Sequence, residues 1–126
     1  MKNQILLVDD NTHAADAMGK LLTLVGFNIN VVYSGEEALS LVRASKPKIM
    51  LLDIRMPEMD GYAVAKEVRA DPKLSDITLV ALTGFGQEED KQKAEKAGFN
   101  HHITKPATLN DLKTVLTQYV HVNATT

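Results

Sequence analysis

Three short, strongly apolar runs in this chain each end on a residue with chemistry to offer. Ile5–Val8 stops at Asp9-Asp10, Ile49–Leu52 stops at Asp53, and Ile77–Leu82 stops at Thr83. A less apolar stretch, Asn100–Thr104, leads into Lys105-Pro106. Taken one at a time these residues have bland readings. Asp9-Asp10 can cap a helix, Asp53 can sit in a turn, Thr83 can be a β-branched strand residue, and Lys105 can be a solvated surface lysine. A charge that closes a buried apolar run, however, usually has a reason to be there. Three carboxylates gathered at one place repel, and a fold gathers them only around a cation. Mg²⁺ suits such a set, because it takes a few carboxylates and completes its shell with waters and phosphate oxygens. Three aspartates, one divalent cation and one lysine sum to zero charge. Phosphoryl transfer uses this kind of site, since the protein's work there is positioning and neutralising charge on the phosphoryl oxygens. In such a site Asp53 is the carboxylate nucleophile, forming an acyl phosphate. Thr83 supplies a hydroxyl donor and Lys105 a point charge.

The elements that would bring these residues together alternate along the chain. After Asp9-Asp10-Asn11, the residues Ala14, Met18, Leu21, Leu22 and Val25 recur at helical spacing, and Gly26 gives a stop signal. Ile29–Tyr33 is β-rich and more polar, as an edge strand is. Ser34 with Glu37 has the form of a capping box, followed by a stripe of Ala38, Leu41 and Val42. Met56 to Asp60 forms a loop before Gly61, and Val64, Ala65 and Val68 mark a third helix that Asp71-Pro72 breaks. Gly84-Phe85-Gly86 is a flexible turn, and a very polar helix runs from about Gln87 to Ala97. Leu109, Leu112, Leu116 and Tyr119 mark one face of a closing helix.

This is a strand–helix unit repeated five times, and apolar strands alternating with helices imply a parallel sheet covered on both faces. Right-handed crossovers make a single doubly wound α/β domain the simplest topology. The strand order 2-1-3-4-5 is the one common among flavodoxin-like sheets, and alternation by itself does not fix it. In such a sheet every strand's C-terminal end lies on one edge, so Asp9, Asp10, Asp53, Thr83 and Lys105 converge in one crevice.

Composition excludes several classes. The 126 residues suit one domain, read as 1–122 with a flexible tail at 123–126. A net charge of −2 gives no general attraction to nucleic acid or anionic lipid. No cysteine means no disulfide and no Cys-bound zinc. Four apolar residues after Gln4 are too few for a signal-peptide core or a membrane span, so a cytoplasmic location without direct membrane contact is the expectation. Gly84-Phe85-Gly86 lacks the third glycine of a dinucleotide fingerprint, and no Walker A sequence occurs. His101-His102 has the look of a metal pair, but adjacent strand residues point to opposite faces.

Val8-Asp9-Asp10-Asn11, Leu52-Asp53-Ile54-Arg55-Met56-Pro57-Glu58-Met59-Asp60-Gly61, Ala81-Leu82-Thr83-Gly84 and Thr104-Lys105-Pro106 fall in order at the right intervals. In this the chain resembles the receiver domains of bacterial two-component systems, from about Gln4 to Tyr119. The resemblance implies phosphorelay signalling, with Asp53 accepting a phosphoryl group from a phosphohistidine. The donor would be the dimerisation and phosphotransfer domain of a histidine kinase, or a histidine phosphotransfer protein. It implies Mg²⁺ held directly by Asp10 and Asp53, through water by Asp9, and by the backbone carbonyl of Arg55. It further implies Lys105 pairing with the phosphoryl oxygens, a cis Lys105-Pro106 bond, and Thr83 swinging toward the phosphoryl group. The fourth helix, fifth strand and fifth helix would present the change to a partner. Around Leu82–Asp90 and Ala97–His102 the chain looks most like receivers fused to hybrid sensor histidine kinases, so it is either a stand-alone regulator or part of such a protein. One position departs from the family. Where receivers usually carry Tyr or Phe, three residues before the lysine, this chain has His102, which is smaller and titrates near neutrality. His102 is taken as the switch partner of Thr83, the alternative being a solvent-facing strand histidine. Two rival functions remain: an aspartyl-phosphate phosphatase, and a degenerate receiver that only docks. The first needs a general acid close after Asp53, where the chain has Ile54-Arg55. The intact Asp, Thr and Lys set argues against the second. No turnover enzyme is expected, only self-catalysed transfer and slow autodephosphorylation.

Overall fold

A computed structural model of the protein describes residues 4–84 and 88–120. Five strands alternate with five helices: β1 Ile5–Val8, α1 Thr12–Leu24, β2 Ile29–Val32, α2 Gly35–Ser45, β3 Ile49–Asp53, α3 Gly61–Ala70, β4 Thr78–Thr83, α4 Glu88–Ala97, β5 His101–Thr104 and α5 Leu109–Leu116. The strands form one sheet in the order β2-β1-β3-β4-β5, every neighbouring pair parallel. This is the doubly wound, flavodoxin-like arrangement expected from the alternation. Phe85, Gly86 and Gln87, and the proposed tail and its boundary, lie outside the described residues.

Side chains alternate between two cores, as a pleated sheet demands. Leu6, Val8, Met50, Leu52, Leu79 and Ala81 pack against α2, α3 and α4. Ile5, Leu7, Ile49, Leu51, Val80 and Leu82 pack against α1 and α5. Because β1, β3 and β4 are covered on both faces, their interiors are apolar without interruption, and polar residues appear only at strand termini, Thr78 at the start of β4 and Asp53 and Thr83 at the ends of β3 and β4.

The helix faces depart from hydrophobic periodicity in two places. In α1 the buried residues are Ala15, Gly19 and Leu22, while Ala14 and Leu21 are exposed and Met18 and Val25 are half-buried. The helix lies so close to β2 that a Cβ on Gly19 would stand 2.8 Å from Val31 Cγ2. Small residues must face the sheet there, and a search for large apolar side chains rotates the helix too far. In α5 the buried pair is Leu112 and Leu116. The helix ends there, Tyr119 turns outward, and Val120 takes the buried place expected for it.

Caps fix where the helices begin. Asn11, Ser34, Asp60 and Thr108 each accept a hydrogen bond from the backbone N–H three residues on. The reciprocal capping box is at Thr108 and Asp111. At Ser34 the Glu37 carboxylate accepts instead from the N–H of Tyr33, at 3.3 Å.

The loop from β3 to α3 folds back on the sheet's edge through a 2.9 Å bond from Gly61 N–H to Ile54 O. A Cβ at Gly61 would lie 2.7 Å from Asp53 O and 2.9 Å from Ile54 Cα. Both contacts are with backbone, which cannot step aside as a side chain can. Gly61→Ala is therefore expected to lower stability by about 1–3 kcal/mol. Urea denaturation checks this, and a midpoint equal to that of the native chain would contradict the close approach.

Candidate functional site

Backbone hydrogen bonds carry the strand register past the strand ends. Asp9 N–H donates to Val32 O, Ile54 N–H to Leu82 O, and Lys105 N–H to Thr83 O. The residues after β1, β3 and β5 are thus pinned to neighbouring strands, and the side chains at these strand ends meet at one edge. Carboxylate oxygens of Asp9, Asp10 and Asp53 lie within 4.8 Å of one another. Asp9 and Asp53 are buried and Asp10 is exposed. Lys105 reaches in from the β5–α5 connection, its Nζ 3.1 Å from Asp53 Oδ1 and 3.6 Å from Asp9 Oδ2. Its peptide bond to Pro106 is cis. Asp9 is oriented by accepting from the N–H of Asn11 at 3.0 Å.

The electrostatics follow from this crowding. Burial pushes the Asp53 carboxyl up to about 6; the Lys105 cation pulls it down, and the Asp9 charge pushes it up. Desolvation outweighs the nearby lysine. A carboxylate held against its preference for water is more reactive, and it is also one that a divalent cation would stabilise.

Thr83 is buried, and its Oγ1 is hydrogen-bonded to Nε2 of His102 at 2.9 Å. The two adjacent histidines part company as strand geometry requires. His102 turns toward Thr83, whereas His101 Nε2 meets the hydroxyl of Tyr119, the rings edge-on with centroids 5.4 Å apart. They do not share a metal site. Arg55 is exposed, beside a groove that runs past Asp60, Tyr62 and Thr83 to Asp90 and Lys93 of α4. All the residues singled out in the sequence thus lie at this edge or one contact from it.

Sequence reasoning missed Arg69. Its guanidinium donates to Ser75 O, Ile77 O, Gly98 O and Asn100 Oδ1, at 2.7 to 2.9 Å. It ties the end of α3 to both ends of the segment from β4 to β5. Three of its four acceptors are backbone carbonyls, which leave no mark in a sequence. The only signal was Gly98, where φ is +103° and a Cβ would meet Arg69 Cγ at 2.6 Å.

Without metal, the Asp53 carboxyl is expected to titrate near 6, and Lys105→Met is expected to raise it further. Folding shifts this acid upward, so between pH 3.8 and about 6 the folded chain keeps a proton that the unfolded chain has lost. The stability tied to that proton is present at low pH and lost as pH rises through the window. Carboxyl ¹³C titration checks the value. A midpoint near 4 in the native chain, or no rise in Lys105→Met, would refute desolvation as the dominant cause.

Similarity to known proteins agrees with this geometry. The chain is 38% identical over 115 residues to an uncharacterized 14.6 kDa protein of Leptolyngbya boryana, covering 91% of this chain and 88% of that one. It is 32% identical over 112 residues to the probable transcriptional regulator ycf27 of Guillardia theta, covering 89% of this chain but 43% of the regulator. The chain thus spans less than half of that regulator's length. Among solved structures, the chemotaxis protein CheY4 of Vibrio cholerae shares the fold, with TM-score 0.87 at 23% identity over 95% of this chain and all of that one. The signal receiver domain of a histidine kinase from Syntrophus aciditrophicus superposes with TM-score 0.82 at 29% identity, over 90% of this chain and 86% of that one. The family model of the response regulator receiver domain matches residues 5–117, and the chain belongs to that family of two-component signalling domains.

Proposed function

We propose that the chain receives a phosphoryl group on Asp53 from a phosphohistidine, with Mg²⁺ bound by the acidic cluster. The observation that carries this is the meeting of three carboxylates with Lys105 at one sheet edge, Asp53 being buried and raised in pKa. A carboxylate oxygen of Asp53 attacks phosphorus as the N–P bond to the donor imidazole breaks, and the bonding pair returns to that nitrogen. The donor belongs to a histidine kinase or a histidine phosphotransfer protein.

The donor set fits the cation. Hard oxygen ligands, two of them partly withdrawn from water, match what Mg²⁺ accepts. Asp10 and Asp53 would hold it directly, Asp9 through water, and Arg55 by its carbonyl. Bound there, it neutralises charge on the phosphoryl oxygens. Lys105 shifts from pairing with Asp53 to pairing with the transferred group. Thr83 donates its hydroxyl to a phosphoryl oxygen, with His102 as its switch partner, and the surface of α4, β5 and α5 presents the change to a partner.

The reading includes signalling without substrate turnover, a cytoplasmic location, one receiver unit over 1–122, and an origin in a hybrid histidine kinase. The last is supported by the local likeness around Leu82–Asp90 and Ala97–His102, and by the 29% identity to a histidine kinase receiver. Among the described residues no helix is long and apolar enough to cross a membrane.

With Mg²⁺ and acetyl phosphate, the protein is expected to gain one phosphoryl group that hydroxylamine releases, and Asp53→Asn to gain none. Mass spectrometry decides it, and stable labelling of the variant at Ser, Thr or His would sink the assignment. Asp10→Ala is expected to weaken Mg²⁺ binding more than Asp9→Ala. Amide NMR titration measures both, and native affinity in Asp10→Ala would remove it from the ligand set.

A further inference from the structure

Along the seam between α3 and α4 the surface carries charge that the fold does not use. Lys93 and Lys96 stand three residues apart on one face of α4, and Lys66 of α3 lines the same hollow, which has a volume of about 430 Å³. Among the described residues none of these three lysines pairs with a carboxylate. Asp60 also lines the hollow, but its carboxylate accepts from the N–H of Ala63 as the cap of α3. Nearby acids on the two helices are engaged elsewhere. Glu67 pairs with Arg43, and Glu95 lines a separate groove with Lys91, His101 and His102. Like charges gathered on two packed helices repel, and no partner within the described chain offsets them. Tyr62 is half-buried between the lysines. Its ring meets Phe99 edge-on, and the Lys93 ammonium stands 5.6 Å from its centroid. Asp60, Tyr62 and Lys93 line the neighbouring groove of about 520 Å³ as well, so the two hollows run on from one another. Past Tyr62 the wall changes character, with Met56 and Pro57 in place of lysines and Asp90 bringing negative charge.

We propose that the α3–α4 seam docks a short extended segment of a partner protein, acidic where it crosses Lys66, Lys93 and Lys96 and uncharged where it passes Tyr62 toward Pro57. Docking there does not depend on phosphoryl transfer at Asp53. Charge complementarity selects the occupant. The whole chain carries a net charge of −2 and has no general attraction to polyanions, so the positive charge is a local feature of one end of the groove. A nucleic acid strand brings a charge with every nucleotide, and its next phosphates would run into Asp90. A peptide can be charged at one end alone. Lysine suits such a contact, because its ammonium is a point charge on a flexible stem and can follow a carboxylate without a fixed geometry. Tyr62 adds a flat, rigid apolar surface for the uncharged residue that comes next.

The test is a titration with a capped hexapeptide, three glutamates followed by three uncharged residues, at low salt and followed by amide NMR. The largest shifts are expected at Tyr62, Ala63, Lys66, Lys93, Lys96 and Ala97. Lys66→Gln, Lys93→Gln and Lys96→Gln are each expected to weaken binding by up to about fivefold, the worth of an exposed ion pair. The triple variant is expected to lose the shifts at the seam. Lys91→Gln, in the separate groove, is expected to bind as the native chain does. The peptide with glutamine in place of glutamate is expected not to bind. All four lysines are exposed, and the amide spectrum of each variant reports its folding before peptide is added. No shift at millimolar peptide, shifts centred on lysines elsewhere such as Lys20 and Lys73, or an equal loss in Lys91→Gln would overturn the proposal. A short single-stranded RNA, or pyrophosphate, that shifts the same amides at lower concentration than the peptide would overturn the assignment to a protein segment.

Discussion

The edge of the sheet is organised around one electrostatic problem, the proximity of Asp9 and Asp53 where little water reaches either. Two buried carboxylates are tolerable only if something positive stands between or beside them. Lys105 does this, with its Nζ near both. The remaining features of the edge serve that arrangement. Strands buried on both faces can hold no charge along their length, so the first position at which a carboxylate can sit is the strand end. The backbone bonds of Asp9, Ile54 and Lys105 to neighbouring strands keep those ends level. Gly61 lets the β3–α3 loop pass within contact of the Asp53 backbone. Asp10, one residue later and in solvent, adds a third carboxylate at smaller desolvation cost.

The strands and the crevice were legible because burial on both faces imposes the same pattern on sequence and structure. Ile5–Val8, Ile49–Leu52 and Ile77–Leu82 can do little else in a chain of this length, and the residue after each run must lie on one edge once the sheet is parallel. Less legible was anything set by close approach or by backbone acceptors. Gly19 faces β2 at a point with no room for a larger residue, so the buried face of α1 includes Ala15 and Gly19, while Ala14 and Leu21 of the expected stripe fall outside it. The box at Thr108 and Asp111 escaped notice because it uses Asp where the familiar signature has Glu or Gln. Arg69 serves carbonyls that carry no side-chain identity. For His102 the residue type was informative, but its bond to Thr83 is diagonal and depends on the register of β4 and β5, which the sequence does not state.

The fastening of α4 makes it the element most easily displaced from this edge. Its buried residues are two alanines, Ala94 and Ala97, both in its second half. Its first turn carries Glu88, Glu89 and Asp90. The far end is secured by the Arg69 bonds to Gly98 O and Asn100 Oδ1, and by Asn100 Oδ1 accepting in addition from Leu79 N–H at 2.8 Å. A helix with little apolar burial moves at low cost, and least where the Arg69 bonds hold it. Its first half lies beside Thr83, which shares a groove with Asp90 and Lys93. The Arg69 clamp meanwhile keeps the start of β5 in register. Strands covered on both faces hold the acidic cluster and Lys105 in place, and the sparsely packed helix beside them is the most weakly held wall of that edge.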